Sequence, residues 1–142
     1  MLRVPAISVV PTSPCVRCGY QDRAEVVAQC AASVGGRVVV THGTDSLVQS
    51  AQYVLSAFTK ARAKAESGSQ DASEPVGLAS KTIVFTGALR PERFVDSDAA
   101  FNVGGAVVAA TLLPPGVYVS MHGRVFQANQ CRRNTAGTLV PV

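Results

Sequence analysis

The sequence predicts an α/β fold, a single domain built on a doubly wound, mainly parallel sheet with flanking helices. Three short apolar runs, rich in β-branched and aromatic residues, do not alternate in hydropathy, which is typical of strands covered on both faces. Between these runs, apolar residues recur at three- and four-residue spacing, the pattern of amphipathic helices. The predicted strands are Arg37–Thr41, Lys81–Thr86 and Val117–Met121.

The length and composition limit the chain to one compact domain over residues 1–142. Of its 142 residues, 47% are hydrophobic and 15% are charged, which suffices for one core but not for a second full domain. The formal charge of +4 is scattered without an aromatic-rich basic stripe, so we expect no nucleic-acid partner. The apolar segment 1–10 is short for a signal peptide and far too short for a membrane span. We therefore expect a cytoplasmic protein with no membrane association.

Helical periodicity and turn residues organise the rest of the chain. Gly35-Gly36 and Pro114-Pro115 end two of the helical segments. His122-Gly123 predicts a hairpin turn into a strand at Arg124–Phe126. Residues 60–80 are rich in Ala, Ser, Gly and charge, which predicts a flexible surface insertion with at most an extra helical turn at its start. The predicted helices are Tyr20–Val34, Asp45–Phe58 and Ala99–Leu113.

The cysteines do not form a convincing metal site. Cys15 and Cys18 have the spacing of half a zinc knuckle or of a redox pair, but a second half is missing. Cys30 and Cys131 stand alone, and neither histidine lies at ligand spacing to another ligand. We expect reduced thiols and no bound metal. A glycine-rich dinucleotide or phosphate loop is also absent, so no cofactor is predicted and a phosphate or nucleotide binder is the weakest alternative.

The loops that follow the predicted strands are where chemistry is expected, because open α/β sheets bind ligands beyond the carboxyl ends of their strands. His42–Ser46 follows the first of these strands and opens a helix. Gly43 permits close backbone approach, and Thr44 and Asp45 place a hydroxyl beside a carboxylate at the helix start. These groups can handle protons or a ligand's amino group, or they can simply cap the helix.

Two ordered motifs resemble those of L-asparaginases. The segment Val38–Leu47 reads V-V-V-T-H-G-T-D-S-L and is similar to the family's second signature. Thr86–Pro91 reads T-G-A-L-R-P and resembles the family's T-G-A-M-R-P segment. The likeness continues in the same order through Asp96–Asn102, Gly116–Val119 and Gly123–Val125, and it looks closest to the short asparaginases without a C-terminal domain.

The resemblance implies an amidohydrolase that converts L-asparagine and water to L-aspartate and ammonia without a cofactor. In that family Thr44 and Asp45 would belong to a threonine, aspartate and lysine triad. Gly43 and Ala88 would line the pocket and contact the substrate amide through their backbone groups. The implied ligand is a small molecule, L-asparagine or L-aspartate.

Three departures from the family pattern bear on activity. Asparaginases begin with a strand that runs into T-G-G-T-I, whose threonine is taken as the primary nucleophile, and this sequence has no such segment. Cys15 falls where the family has a substrate-binding serine, and we expect an inert thiol there. Arg133 stands where the triad lysine is expected, and an arginine cannot act as a base near neutral pH. Activity is therefore expected to be weak or lost.

Those departures favour one alternative function and one assembly. The alternative is a non-catalytic relative that binds an amino acid or a dicarboxylate, or serves as an interaction subunit of an oligomer. Without the family's first strand and helix, a flank of the sheet is expected to lie uncovered. A homo-oligomer, a dimer or a tetramer, would cover it.

Overall fold

The chain forms a three-layer α/β domain, which confirms the predicted fold class. The computed structural model describes residues 6–12, 20–68 and 77–142. Each predicted strand and helix has a counterpart within a few residues of the expected bounds, except for the longer second helix. The elements are β1 (Ile7–Pro11), α1 (Tyr20–Ala32), β2 (Arg37–Thr41), α2 (Leu47–Ser67), a 3₁₀ turn (Leu78–Ser80), β3 (Thr82–Thr86), α3 (Ala99–Leu112), β4 (Gly116–Met121), β5 (Arg124–Gln127), β6 (Cys131–Arg133) and β7 (Leu139–Pro141).

The main sheet has five strands in the order β1-β2-β3-β4-β5. The first four are parallel, and β5 returns antiparallel to β4 through the predicted hairpin. Pro11 pairs with Thr41, and Thr41 with Thr86, so the first three strands end level with one another. A separate antiparallel pair, β6-β7, which the sequence analysis did not predict, follows the main sheet. The loops after β2, β3 and β4 therefore leave one edge of the sheet together.

The two faces of the sheet bury different helices. Side chains of β2 and β3 alternate, so that Val40 and Phe85 pack with α1 and α2, whereas Val39 and Val84 pack with α3. The strand order advances steadily, yet α2 and α3 cross over opposite faces. The β2-α2-β3 and β3-α3-β4 crossovers consequently have opposite hands, and one of them is the rare left-handed kind. This arrangement brings the start of α3 to the edge where β3 ends.

The structure differs from the sequence prediction over residues 60–80. Helix α2 continues through Lys60–Ser67, since this stretch is rich in the strong helix formers Ala, Lys, Arg and Glu, and it ends at Gly68 with φ of 67°. Leu78, in the 3₁₀ turn, is fully buried. The predicted insertion is therefore helical at its start and packed at its end, and residues 69–76 lie outside the described part of the chain. Among the described residues, no helix is long and apolar enough to cross a membrane.

A buried lysine joins the amino edge of the sheet to α1. The Lys81 ammonium donates to the carbonyl oxygens of Ser33 at 2.6 Å and Gly35 at 2.9 Å, so it satisfies acceptors just past the end of that helix. Cys30 lies nearby and is fully buried. Burial raises the pKa of its thiol to about 12, although the Lys81 charge acts in the opposite direction. This thiol is therefore a packing group and not a nucleophile.

Candidate active site

The loops after β2 and β3 touch at the carboxyl edge of the sheet. The His42 amide donates to the Thr86 carbonyl oxygen at 2.8 Å, which continues the ladder one step past the strands. A Cβ on Gly87 would lie 2.4 Å from the His42 carbonyl oxygen and 3.2 Å from Thr44 Cγ2. Only glycine fits at this position, because the nearest clashing atom belongs to the backbone. Gly87 thus permits the two loops, and the residues they carry, to lie against each other.

The side chain of His42 fixes the backbone of the loop after β2. Its ring is buried, and Nδ1 lies 2.8 Å from the Gly43 carbonyl oxygen, so Nδ1 carries the proton of the neutral ring. Burial is the largest influence and lowers the pKa of His42; the Gly43 bond raises it in part, and the Arg23 charge lowers it further. Nε2 is buried and has no hydrogen-bond partner among the residues that the structure describes. His42 is therefore a neutral packing residue that fixes the Gly43 carbonyl.

Thr44 and Asp45 stand at the start of α2 with their side chains available. Ser46 is the N-cap residue, and its side chain makes no capping hydrogen bond. Thr44 is half-buried, and among the described residues no hydrogen bond of its hydroxyl is recorded. The Asp45 side chain is 69% exposed. Both groups lie at the carboxyl edge of the sheet, which is where the sequence analysis expects substrate.

Arg133, at the end of β6 in the two-stranded sheet, contacts the loop after β2. Its Nη1 donates to Asp45 Oδ1 at 2.7 Å, although 88 residues separate them in sequence. Gly137, with φ of 81°, leaves room for the guanidinium: a Cβ there would lie 3.1 Å from Arg133 Nη2 and 3.4 Å from Leu89 Cδ2. Three segments therefore converge, the loops after β2 and β3 and the β6-β7 hairpin. The contact uses one nitrogen of the guanidinium on Asp45.

The loop after β3 is held by a polar network at the start of α3. The Asp98 carboxylate accepts hydrogen bonds from the Leu89 amide at 3.2 Å and the Arg90 amide at 3.0 Å. Asn102, fully buried, donates to the Gly87 carbonyl oxygen at 2.9 Å and to Asp98 at 2.8 Å. His122 Nε2 donates to Asp98 at 2.9 Å. The loop is bonded on both sides of Ala88.

The network controls the charge on Asp98. Partial burial alone would raise the pKa of this carboxyl, but the Arg90 and Leu89 amides and the His122 ring donate to it and hold the pKa well below the ordinary 3.8. Asp98 is thus an anion throughout the physiological range. Asp96 forms an ion pair with Arg90 in the same loop, and Ser97 donates to the Arg90 carbonyl oxygen at 2.7 Å.

The residues expected from the sequence fall into three groups. Thr44 and Asp45 lie with Gly43 at the end of β2, Ala88 lies in the loop after β3, and Arg133 contacts Asp45. Cys15 lies outside the described residues. Within the described part of the chain, no group of three or more metal-ligating side chains occurs.

Sequence reasoning missed the network around Asp98. Asp98 occupies the N-cap of α3, but its side chain makes no capping bond. His122 was read as a turn residue, which its φ of 52° supports, yet its ring also binds Asp98. The available signal was the spacing of Asp98 and Asn102, four residues apart at a helix start, opposite a histidine at the end of a strand.

Comparison with known proteins shows a similarity to asparaginases. Residues 76–140 match the family model described as asparaginase, N-terminal. The fold is similar to that of the thermostable L-asparaginase from Thermococcus kodakarensis, with a TM-score of 0.66 and 18% identity over 86% of this chain. The family-model match covers less than half of the chain, and together with this likeness it supports an asparaginase-type α/β fold. L-asparaginase I from Vibrio cholerae is also similar, with a TM-score of 0.63 and 20% identity over 85% of this chain.

The resemblance to asparaginases that the two motifs indicate is thereby confirmed, while its extent is limited. The asparaginase-like chain spans about a third of the length of each solved enzyme, 33% in both cases. The family-model match begins at residue 76, so the Gly43–Asp45 segment lies outside it and is tied to the family by its own sequence. Among curated proteins no match is found.

Proposed function

We propose that this chain carries out amide hydrolysis of the asparaginase type, converting L-asparagine and water to L-aspartate and ammonia. The observation that carries the proposal is the pairing of Thr44 and Asp45 at the carboxyl edge of β2. Thr44 offers a hydroxyl that no recorded bond among the described residues engages, and Asp45 offers an exposed carboxylate. The match of residues 76–140 to the model described as asparaginase, N-terminal, supports the reaction class.

The proposed roles follow from the chemistry of each group. The Thr44 hydroxyl attacks the substrate amide or orients the attacking water, and Asp45 binds the substrate's ammonium group. Backbone groups of Gly43 and Ala88 contact the substrate amide and the developing oxyanion. Arg133 stays protonated near neutral pH, so it provides charge but cannot accept a proton from Thr44. Turnover is accordingly expected to be slow.

A second candidate function is binding of an amino acid or dicarboxylate without turnover. The Arg133–Asp45 contact favours it, because a permanently charged guanidinium beside the site suits a carboxylate ligand better than proton transfer. In this case Thr44 would bind ligand by its hydroxyl and would not react.

The expected homo-oligomer stays a prediction, and besides the sheet flank named in the sequence analysis the structure offers a second apolar surface for it. Apolar side chains on α3 and β5 are exposed: Phe101 by 66%, Leu112 by 77% and Val125 by 43%. With Gly104 and Gly105 they line a cleft of about 600 Å³. Light scattering of the wild type beside Phe101→Ser tests this proposal, and a wild-type monomer at high concentration contradicts it.

Ammonia release from L-asparagine tests the catalytic proposal. The purified chain is compared with Thr44→Ala, Asp45→Ala and Arg133→Lys, with Thr59→Ala as the control because Thr59 is exposed on α2 and bonds only within its own helix. We expect Thr44→Ala to lower kcat by at least about 100-fold, Thr59→Ala to leave it unchanged, and Arg133→Lys to raise it.

The remaining outcomes separate the two candidates. No ammonia from the wild type, together with L-aspartate binding that Thr44→Ala or Asp45→Ala weakens, supports the non-catalytic binder. Ammonia release that survives Thr44→Ala shows that the reacting group lies elsewhere. A wild type with neither activity nor binding contradicts both candidates.

A further inference from the structure

The loop Gly87–Arg90 is anchored on both sides of Ala88. Upstream, Asn102 Nδ2 donates to the Gly87 carbonyl oxygen at 2.9 Å. Downstream, the Asp98 carboxylate accepts from the Leu89 and Arg90 amides. Ala88 is therefore the one residue of the loop between two fixed points, and the direction of its backbone groups depends on both anchors.

His122 holds the two anchors in place. Its ring Nε2 donates to Asp98 Oδ2 at 2.9 Å, and its backbone amide donates to Asn102 Oδ1 at 2.8 Å. Asn102 Nδ2 in turn donates to Asp98 at 2.8 Å. His122 adopts φ of 52° in the β4-β5 turn, and this backbone conformation lets one residue reach both partners. The closed set of bonds joins the end of β4 to the loop after β3.

The Asp98 side chain bonds the loop after β3 and does not cap its own helix, α3. An aspartate at an N-cap ordinarily accepts a bond from the first turn of the helix, which stabilises that helix. Asp98 makes no such bond and directs both carboxylate oxygens to the loop, Asn102 and His122. The local preference for capping is overridden by the loop, which indicates that holding the loop is the function of this side chain.

We propose that Asp98 and His122 are positioning residues, which fix the Gly87–Arg90 loop so that the Ala88 backbone meets the substrate amide. The substrate part of this proposal rests on the proposed function. The clamp, by which we mean the hydrogen bonds that Asp98, Asn102 and His122 make with the loop and with one another, does not rest on it. Neither residue touches the reacting atoms. Asp98 acts through the Leu89 and Arg90 amides, and His122 acts through the orientation of Asp98.

Two substitutions of His122 isolate its ring from its backbone. His122→Asn suits a positive φ and keeps the backbone amide for Asn102, but its side chain is too short to reach Asp98. His122→Gln keeps an N–H donor on a longer side chain and is the conservative rescue. Asp98→Asn is the matched change on the acceptor side, since it replaces one carboxylate oxygen by a donor that faces the donors of the loop.

Amide hydrogen exchange followed by NMR reads the clamp without any ligand. We expect the Leu89 and Arg90 amides to exchange at least about tenfold faster in His122→Asn and Asp98→Asn, and close to the wild-type rate in His122→Gln. The His42 amide, bonded to Thr86, is the internal control and should not change. Equal Leu89 and Arg90 exchange in wild type and His122→Asn overturns the proposal, whatever the activity.

Kinetic measurements then test whether the clamp positions the Ala88 backbone for the substrate. In an active wild type, we expect His122→Asn to lower kcat about tenfold with a smaller rise in KM, because the Ala88 contact strengthens as charge develops, and His122→Gln to restore kcat. Faster exchange with unchanged kcat and KM overturns the positioning role. If the wild type has no turnover but binds L-aspartate, the same comparison is made on Kd. A wild type with neither property refutes the proposed function and the substrate part of this proposal, whereas faster exchange in His122→Asn still supports the clamp.

Discussion

The loops after β2 and β3 leave the same edge of the sheet but are built in opposite ways. After β2, Thr44 and Asp45 carry polar groups with unused bonding capacity, and a single ion pair with Arg133 crosses to them. After β3, the side chains of Asp98 and Asn102 are hydrogen-bonded to the backbone of residues 87, 89 and 90 in the loop. One loop thus leaves polar groups available for the proposed ligand, whereas the other uses its polar groups to fix its own backbone.

The contrast carries over to energetics. Asn102 is fully buried, so each bond it loses leaves a polar group without water. Asp45 is mostly exposed, and solvent replaces its partner at little cost. Stability should therefore depend on the loop after β3, and ligand binding on the loop after β2.

The largest expected effect on stability comes from Asn102→Ala. This change leaves the Gly87 carbonyl oxygen and the His122 amide without their partners, and we expect the free energy of unfolding to fall by about 3 kcal/mol. Urea denaturation measures the change, with exposed Asn129→Ala as the control, expected within about 0.5 kcal/mol. Equal effects of the two variants would break the comparison.

Gly87→Ala should follow, because its Cβ would collide with the His42 carbonyl oxygen and press on Thr44. We expect a loss of about 2 kcal/mol in the same assay. Gly104→Ala in α3 is the matched control: no atom lies within 4 Å of its added Cβ, and a gain of about 0.5 kcal/mol is expected in a helix. A neutral Gly87→Ala would show that the loops are not in close contact.

Acid should weaken the fold in two windows. The pKa of His42 is lowered from 6.5 in the folded chain, so below about pH 6.5 the unfolded chain binds more protons and stability falls by at most about 1.4 kcal/mol per pH unit. The pKa of Asp98 is lowered from 3.8, so its contribution is present above that pH and is lost as the pH falls below it. His42→Asn should remove the first window only, in urea titrations at pH 5 to 7.

The smallest effect is expected at the ion pair after β2. Asp45→Ala and Arg133→Ala should each change the free energy of unfolding by less than about 1 kcal/mol, because the carboxylate is 69% exposed. Thermal unfolding measures this, with Glu92→Ala, an exposed residue of the other loop, as the control. A loss near that of Asn102→Ala would mean that the Asp45 corner is structural, which contradicts its assignment to ligand binding.

Much of this fold follows from short-range sequence patterns. Hydropathy predicts the strand at Arg37–Thr41 and the helix at Ala99–Leu112, and both lie within a residue or two of the expected bounds. The carboxyl-end rule then directs attention to the loop that carries Thr44, and the resemblance to asparaginases adds Ala88 in the loop after β3. In contrast, β1 escaped prediction, since a five-residue edge strand next to prolines carries little periodicity.

Long-range contacts account for what the sequence could not predict. The Arg133–Asp45 pair spans 88 residues, and it depends on the β6-β7 hairpin and on space beside Gly137. The Asp98 network depends on α3 starting beside the loop after β3, which follows from the crossover over the opposite face of the sheet. No local pattern encodes the Arg133 contact or the position of His122 beside Asp98, because each is fixed only when distant strands have paired.

Isothermal titration of L-aspartate into the wild type and Thr44→Ala tests the central claim most directly. The account predicts that the wild type binds and that Thr44→Ala binds at least about tenfold more weakly, with an unfolding free energy that stays within about 1 kcal/mol of the wild-type value. Equal affinity in both proteins, or no binding by a folded wild type, would contradict it.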